Sequence, residues 1–189
     1  RLLRDASVPI GRFVVCRVEE QLPRYDEVWS KLGVPFFVKP ANMGSSVGVH
    51  KVSGEDGFQK ALIDAFQYDS KVVIEEFIEG REIECSVLGN HDPIASVPGE
   101  VVSAHEFYSY EAKYIDENGA TIEIPAKLPE HTAERVKELA VMTFKTLSCE
   151  GLARVDFFLK GDGEVLVNEI NTIPGFTSIS MYPMLWKRC

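Results

Sequence analysis

The sequence predicts an α+β fold built on antiparallel strands. Short runs rich in β-branched and aromatic residues are joined by turns of a few residues. Two longer stretches repeat their apolar residues with helical spacing. Strand and helix do not alternate as a doubly wound parallel sheet requires. At 189 residues the chain is long enough for one full domain or two small ones.

The elements follow in chain order. Residues 1–6 are charged and amphipathic, unlike a signal peptide, and read as the end of a helix begun upstream. Val8-Pro9 stops that helix, since proline cannot continue one. Residues 36–39 form a strand that runs through Pro40 into a small-residue loop at 42–48, and residues 47–52 form its return strand. Ser53 with Asp56 resembles a capping box. Behind it Phe58, Ala61, Leu62, Ala65 and Phe66 share one helical face. Residues 72–74 open a strand that ends at 75–78, and Glu79-Gly80 turns the chain. Residues 82–87 alternate polar and apolar, as in a half-buried strand, and a turn at 89–93 leads to a further run at 94–97.

From 103 to 119 no periodicity survives, yet Phe107, Tyr108, Tyr110 and Tyr114 make the stretch too aromatic for plain disorder, so it reads as a functional loop. Val136, Leu139, Ala140, Thr143, Phe144 and Leu147 mark a second helix. Residues 152–159 and 165–171 are two further strands. The chain then ends abruptly after Trp186, so that both ends read as cut from something longer.

Composition bounds the chemistry. Apolar residues make up 45% and charged residues 26%, as in folded soluble proteins. No apolar run approaches the ~20 residues of a membrane helix, so no membrane role is expected. A net charge of −9 argues against nucleic acid as a partner but leaves room for a nucleotide held by local cations and a metal. Cys16, Cys85, Cys149 and Cys189 are widely spaced and form no C-x-x-C pair. Neither a zinc site nor a disulfide framework is expected, and a cytoplasmic location follows.

The last strand pair carries the sharpest signal. Asp162-Gly163 is a two-residue hairpin turn signal. A turn centred there sets Lys160 opposite Val165, Asp156 opposite Glu169 and Arg154 opposite Asn171. Alternation then puts Arg154, Asp156, Glu169 and Asn171 on one face. Opposed carboxylates repel. A hard cation relieves them, and oxygens of Asp, Glu and Asn suit magnesium, which keeps other positions for water and phosphate. The plainer reading is an incidental acidic pair on a solvent-facing hairpin. Arg154 beside the pair suits phosphoryl chemistry. The loop at 172–180 is either an ordinary turn or a set of backbone N–H groups for an anion.

Lys39 precedes the loop at 44–48, where glycines admit a phosphate and Ser45 and Ser46 add donors, although no Walker A pattern is present. Glu75 and Glu82 flank a turn. They are two surface glutamates, or they serve a turn whose amides meet an adenine edge while a carboxylate takes ribose hydroxyls.

Taken together and in order, these strings resemble the ATP-grasp superfamily and, closely, the D-alanine–D-alanine ligase family. They are the runs at 38–48, 74–77 with 80–82, 108–114, 154–156 and 168–175. The resemblance implies an ATP-grasp fold of two α+β subdomains, at 1–78 and 79–189, holding ATP between them, with an N-terminal domain absent from this chain. It implies ATP-dependent joining of two D-alanines through an acyl phosphate, for peptidoglycan precursors. It also implies ATP and two magnesium ions, manganese being an alternative, and a homodimer formed through the missing segment.

By the same resemblance Lys39, with Ser46 in its loop, would bind ATP phosphates. Glu75 and the backbone of Glu76, Phe77 and Ile78 would hold adenine, and Glu82 the ribose. Asp156, Glu169 and Asn171 would carry the metals. Ser45, Lys113 and Tyr114 would close a lid at 103–119 over the γ-phosphate. Arg154 and the Gly175 N–H would stabilise the tetrahedral intermediate, and Ser180 with Met181 would receive the second D-alanine. In the family a Lys-Tyr ending accompanies amine acceptors, and His105 lies outside the position that accompanies D-lactate. D-lactate ligation and a non-catalytic ATP-binding fragment are the alternative readings.

Overall fold

The computed structural model describes residues 2–103 and 120–189. The elements are, in chain order, α1 (Leu2–Asp5), β1 (Phe13–Arg17), α2 (Tyr25–Leu32), β2 (Phe36–Pro40), β3 (His50–Val52), α3 (Glu55–Tyr68), β4 (Lys71–Glu76) and β5 (Arg81–Gly89). There follow β6 (Ile94–Ala95), β7 (Gly99–Ser103), β8 (Ala120–Glu123), α4 (Glu130–Thr146), β9 (Gly151–Leu159), β10 (Val165–Asn171) and α5 (Met181–Trp186). They divide into two compact units: residues 11–78, and residues 2–10 with 79–103 and 120–189. Residues 2–10, counted above with the first subdomain, pack with the larger unit.

In the smaller unit four strands lie in the order β1-β4-β2-β3, all antiparallel. Period-two alternation sends Phe36, Val38, Val72 and Ile74 to one face, where they are fully buried with Val28 of α2 and Phe58, Leu62 and Ala65 of α3. The expected face of α3 is the buried one, with Phe66 half-buried beside it. Rings of Tyr25, Phe36 and Phe58 meet at 5.6–6.0 Å, a tilted and edge-on cluster that anchors both helices. The expected capping box is not formed. The N-cap is Gly54, which has no side chain to offer, and Glu55 and Asp56 favour the helix start through the dipole instead.

The return strand is shorter than expected because its ladder begins only at His50. Ser45, Ser46 and Gly48 hold left-handed φ values of 53°, 59° and 69°, and turn bonds from Val47 N–H to Gly44 and Val49 N–H to Ser46 occupy the backbone. Elements β1 and α2 gave no sequence signal: α2 buries only Val28 and Leu32, too few for a visible period.

The larger unit has strand order β10-β9-β5-β7-β8, again antiparallel, with β6 paired to β5. One face is apolar: Ile83, Cys85, Val87, Ala153, Val155, Phe157 and Val167 pack with Val136, Leu139, Ala140 and Phe144 of α4. Leu147, expected on that helical face, is the residue that ends α4. Burial pushes the Cys85 thiol up to about 12 and, in the smaller unit, Cys16 up to about 11, so both serve as packing residues. The polar face is covered at one end by α5, where the Ser86 hydroxyl donates to the Tyr182 carbonyl at 3.2 Å. Gly99 packs closely there: a Cβ would lie 2.7 Å from Leu185 Cδ2 and 3.2 Å from Met181 Sδ. Among the described residues no helix is long and apolar enough to cross a membrane.

The final hairpin corrects the expected pairing near its turn. Gly163 N–H donates to Lys160 O and Lys160 N–H to Glu164 O, both at 2.9 Å, and only Gly163 of the Asp162-Gly163 pair has a positive φ, 91°. The turn is therefore centred one residue earlier, and Val165 opposes Leu159, not Lys160. A bulge between Val167 and Glu169 then inserts one residue in β10, so that Asp156 opposes Glu169 and Arg154 opposes Asn171 as expected. The bulge is held from the side: Val167 N–H donates to Pro9 O at 2.9 Å, and Ile10 bridges to Val167.

Candidate active site

On the polar face of the larger sheet the register aligns Glu84 of β5, Asp156 of β9 and Glu169 of β10 in one row. Arg154 and Asn171 form the adjacent row on the same face. Their side chains interleave. The Arg154 guanidinium donates to both oxygens of Asp156, from Nε and Nη2 at 2.7 Å each, and its Nε lies 2.9 Å from Glu84 Oε2. The Asn171 amide Nδ2 lies 3.3 Å from Asp156 Oδ2 and 3.3 Å from Glu169 Oε1. Each gap between neighbouring carboxylates thus contains a donor, charged in the first gap and neutral in the second.

Burial of Arg154 works against its charge, and Asp156, Glu84 and Glu169 outweigh it, so the guanidinium is held still more firmly protonated than usual. Among the described residues of these two rows, three carboxylates stand against one guanidinium, an excess of negative charge. Among the described residues no three His, Cys, Asp or Glu side chains stand close enough together to hold a metal alone. The two carboxylates and one amide at the Asp156–Glu169 gap are an all-oxygen set once the Asn171 amide is turned. Such a set suits a hard cation that draws its other ligands from water and phosphate.

The loop beyond β10 places Ser180 at the N-cap position of α5, with Met181 buried in its first turn. Ser180 Oγ accepts the Thr177 N–H at 3.0 Å and lies 2.8 Å from Thr177 Oγ1. A Cβ on Gly175 would come within 2.9 Å of that same oxygen, so glycine keeps the loop folded tightly on Ser180. Glu82 stands on β5 one pair away from Glu84, opposite Phe158 and Val101.

In the smaller unit Lys39 and Glu75 project from the face opposite the core and pair at 2.6 Å. Ser45 and Ser46 lie in the left-handed turn that follows. Asp69 ties the start of that loop down, accepting from Asn42 N–H at 2.8 Å, Asn42 Nδ2 at 2.7 Å and Lys71 N–H at 3.0 Å. The side chain of Glu76 is engaged by Arg12, whose backbone N–H and Nε each donate at 2.6 Å. Phe77 and Ile78 lie beyond the end of β4. The Phe77 ring is 6.1 Å from that of Phe37 and 4.6 Å from the Lys51 ammonium, and Ile78 fits against Gly11, where a Cβ would be 2.9 Å away.

Lys113, Tyr114 and nearly all of the 103–119 loop lie outside the described residues. Glu84, Phe37 and Lys51 were not singled out from sequence. The alternation of Glu82 and Glu84 was visible, but its alignment with Asp156 depends on pairing across 72 residues.

Comparison with known proteins places this geometry. A D-alanine–D-alanine ligase of Coxiella burnetii matches 98% of this chain and 49% of its own with a TM-score of 0.86 at 38% identity. VanG D-Ala:D-Ser ligase of Enterococcus faecalis matches 99% of this chain and 54% of its own with a TM-score of 0.89 at 35% identity. The fold is therefore the α+β fold of the ATP-grasp class. The model of the family described as D-ala D-ala ligase C-terminus matches residues 2–189, and the chain belongs to that family. The D-alanine–D-alanine ligase of Oceanobacillus iheyensis is 56% identical over 99% of this chain and 51% of its own length. D-alanine–D-alanine ligase A of Salmonella typhimurium is 53% identical over 99% and 52%. The chain spans about half the length of the curated relatives it matches.

Proposed function

We propose that this chain is the nucleotide-binding and catalytic portion of an enzyme that joins two D-alanines at the expense of ATP, supplying peptidoglycan precursors in the cytoplasm. The observation that carries the reading is the interleaved face of the larger sheet: a guanidinium fills one carboxylate gap, and a neutral amide leaves the other to a cation. The 56% identity to a named D-alanine–D-alanine ligase supplies the substrate class.

In this reading the two compact units are the two ATP-grasp subdomains. Lys39, with the donors of Ser45 and Ser46, neutralises ATP phosphates, and its pairing with Glu75 keeps it on the open face until nucleotide arrives. Glu75 and the backbone of Glu76, Phe77 and Ile78 take adenine. The engagement of the Glu76 carboxylate by Arg12 fits a role for its backbone alone. Glu82 takes ribose hydroxyls. Asp156, Glu169 and Asn171 hold two divalent ions, magnesium or manganese, which when bound spread the charge of the transferring phosphoryl group.

The first D-alanine carboxylate attacks the γ-phosphorus and expels ADP, and the neutral amine of the second D-alanine then attacks the acyl phosphate and releases phosphate. Arg154 and the Gly175 N–H stabilise the oxyanion of that second step, and Ser180 with Met181 receives the acceptor carboxylate. Lys113 and Tyr114 close the lid and keep water from the acyl phosphate. Homodimer formation belongs to the same reading and rests on family likeness alone.

The test is phosphate release by the complete natural chain with ATP and magnesium, supplied with D-alanine alone or with D-alanine plus D-serine or D-lactate. D-alanine-dependent release with one dipeptide per phosphate is the expected result. Release without D-alanine dependence overturns the substrate assignment, and preference for D-serine or D-lactate reassigns the acceptor.

A further inference from the structure

Glu84 has no part in the roles above, yet it is built into the same face. It stands on β5, which is flanked by β9 and β7, and its side chain is only 15% exposed. Its neighbour on β7 is Gly99, and its neighbour on β9 is Asp156. Its Oε2 lies 2.9 Å from Arg154 Nε, the same nitrogen that donates to Asp156 at 2.7 Å.

We propose that Glu84 is a positioning residue for Arg154, anchoring the guanidinium between β5 and β9 so that the Asp156–Glu169 gap stays open to a cation. The proposal rests on the roles just assigned to Arg154 and Asp156.

Two physical consequences follow from the anchor. Arg154 shares its charge between two carboxylates rather than concentrating it on Asp156. Asp156 can then lend outward lone pairs to a metal while remaining hydrogen-bonded. The Nε–H is directed at Asp156 Oδ1, and Glu84 Oε2, 2.9 Å from the same nitrogen, acts on the guanidinium as a neighbouring negative charge. Without Glu84 the carboxylates left beside Arg154, among the described residues, are Asp156 and Glu169, and Arg154 is expected to shift toward the gap it otherwise leaves free. Removing a carboxylate also makes the face less negative, and both effects weaken a divalent cation.

The experiment is a double-mutant cycle in the complete natural chain, using Glu84→Gln, Arg154→Lys and both together. Glu84→Gln keeps the size of the side chain and an acceptor oxygen. It is expected to lower kcat about tenfold, in the range of groups that orient a metal site from behind. It should also raise the Mn2+ dissociation constant, read by water-proton relaxation, while leaving the KM for ATP and the melting temperature in place. Glu84→Asp, which retains the charge, should recover most of the loss. In the Arg154→Lys background Glu84→Gln should change kcat by less than about twofold, because a residue acting through another is not additive with it.

Equal losses in both backgrounds, or a loss that follows the melting temperature, overturns the proposal. Turnover without D-alanine dependence defeats the ligase reading instead, and the Mn2+ titration still decides the anchor: an unchanged Mn2+ affinity in Glu84→Gln refutes it.

Discussion

The two units each carry charge on an open sheet face, but they balance it differently. In the smaller unit one lysine meets one glutamate, Lys39 with Glu75, beside the Phe37 and Phe77 rings. Lys51 shares that face, 4.6 Å from the Phe77 ring, so the face is partly aromatic and carries two ammonium groups beside Glu75, which suits a planar base and a phosphate chain bringing its own negative charge. In the larger unit, among the described residues of these two rows, Glu84, Asp156 and Glu169 stand with one guanidinium, that of Arg154. That surplus suits a divalent cation. Under the proposed function, charge balance distinguishes the nucleotide face from the metal face before any ligand is seen. Carboxylates in surplus wait for a cation, whereas a paired lysine can exchange its partner for phosphate.

Substitutions on the two faces should therefore separate. The largest effect is expected from Asp156→Asn, which removes the carboxylate that holds Arg154 and, under the proposed function, the cation. Turnover should fall by about 10³-fold, at the upper end of losses seen when a preorganised charge at a reacting centre is deleted. Steady-state rates across a magnesium titration check this, and recovery of full rate at high magnesium would contradict it.

Asn171→Ala should reduce magnesium-dependent turnover by about 10²-fold with little change in the denaturation midpoint. If the protein unfolds instead, the hairpin face is structural and its metal role loses support. Lys39→Met should act on the other side of the comparison. The KM for ATP is expected to rise by about tenfold or more while the magnesium dependence keeps its shape. A shifted magnesium optimum would mean that the two faces are not independent.

The smallest effect concerns the loop carrying Ser45 and Ser46. Asp69 is held below its ordinary pKa of 3.8, chiefly by the Lys71 N–H and against some burial, with further help from Asn42. A depressed carboxylate stabilises the fold above its unfolded pKa and loses that contribution as pH falls through the folded value. Asp69→Asn should therefore melt slightly lower than the parent at pH 7. The difference should close below about pH 4, in the range set by the ordinary Asp value. A difference that persists at pH 2 would assign the effect to geometry rather than charge.

Local signals found what local physics controls. The helical faces of α3 and α4 were legible because each buries a full apolar stripe. The pairing of Asp156 with Glu169 was also legible, although for an incomplete reason. The assumed turn was one residue late, and the bulge beside Val167 restored the alignment. No sequence rule announces that bulge, because its support comes from Pro9 and Ile10, more than 150 residues away. The capping box at Ser53 failed for the opposite reason: the pattern was present, but the helix began beyond Gly54.

By itself, the sequence determined the α+β class, the two amphipathic helices, the Arg154, Asp156, Glu169 and Asn171 face, and the loop after Lys39. Each follows from spacing along a single strand, helix or hairpin. Tertiary structure alone decided that Glu84 joins Asp156 in one row, that Arg12 engages Glu76, and that Phe37 and Lys51 flank Phe77. Those contacts depend on which strands become neighbours. Strand order is chosen by burial of the whole apolar face, which no short stretch of sequence contains.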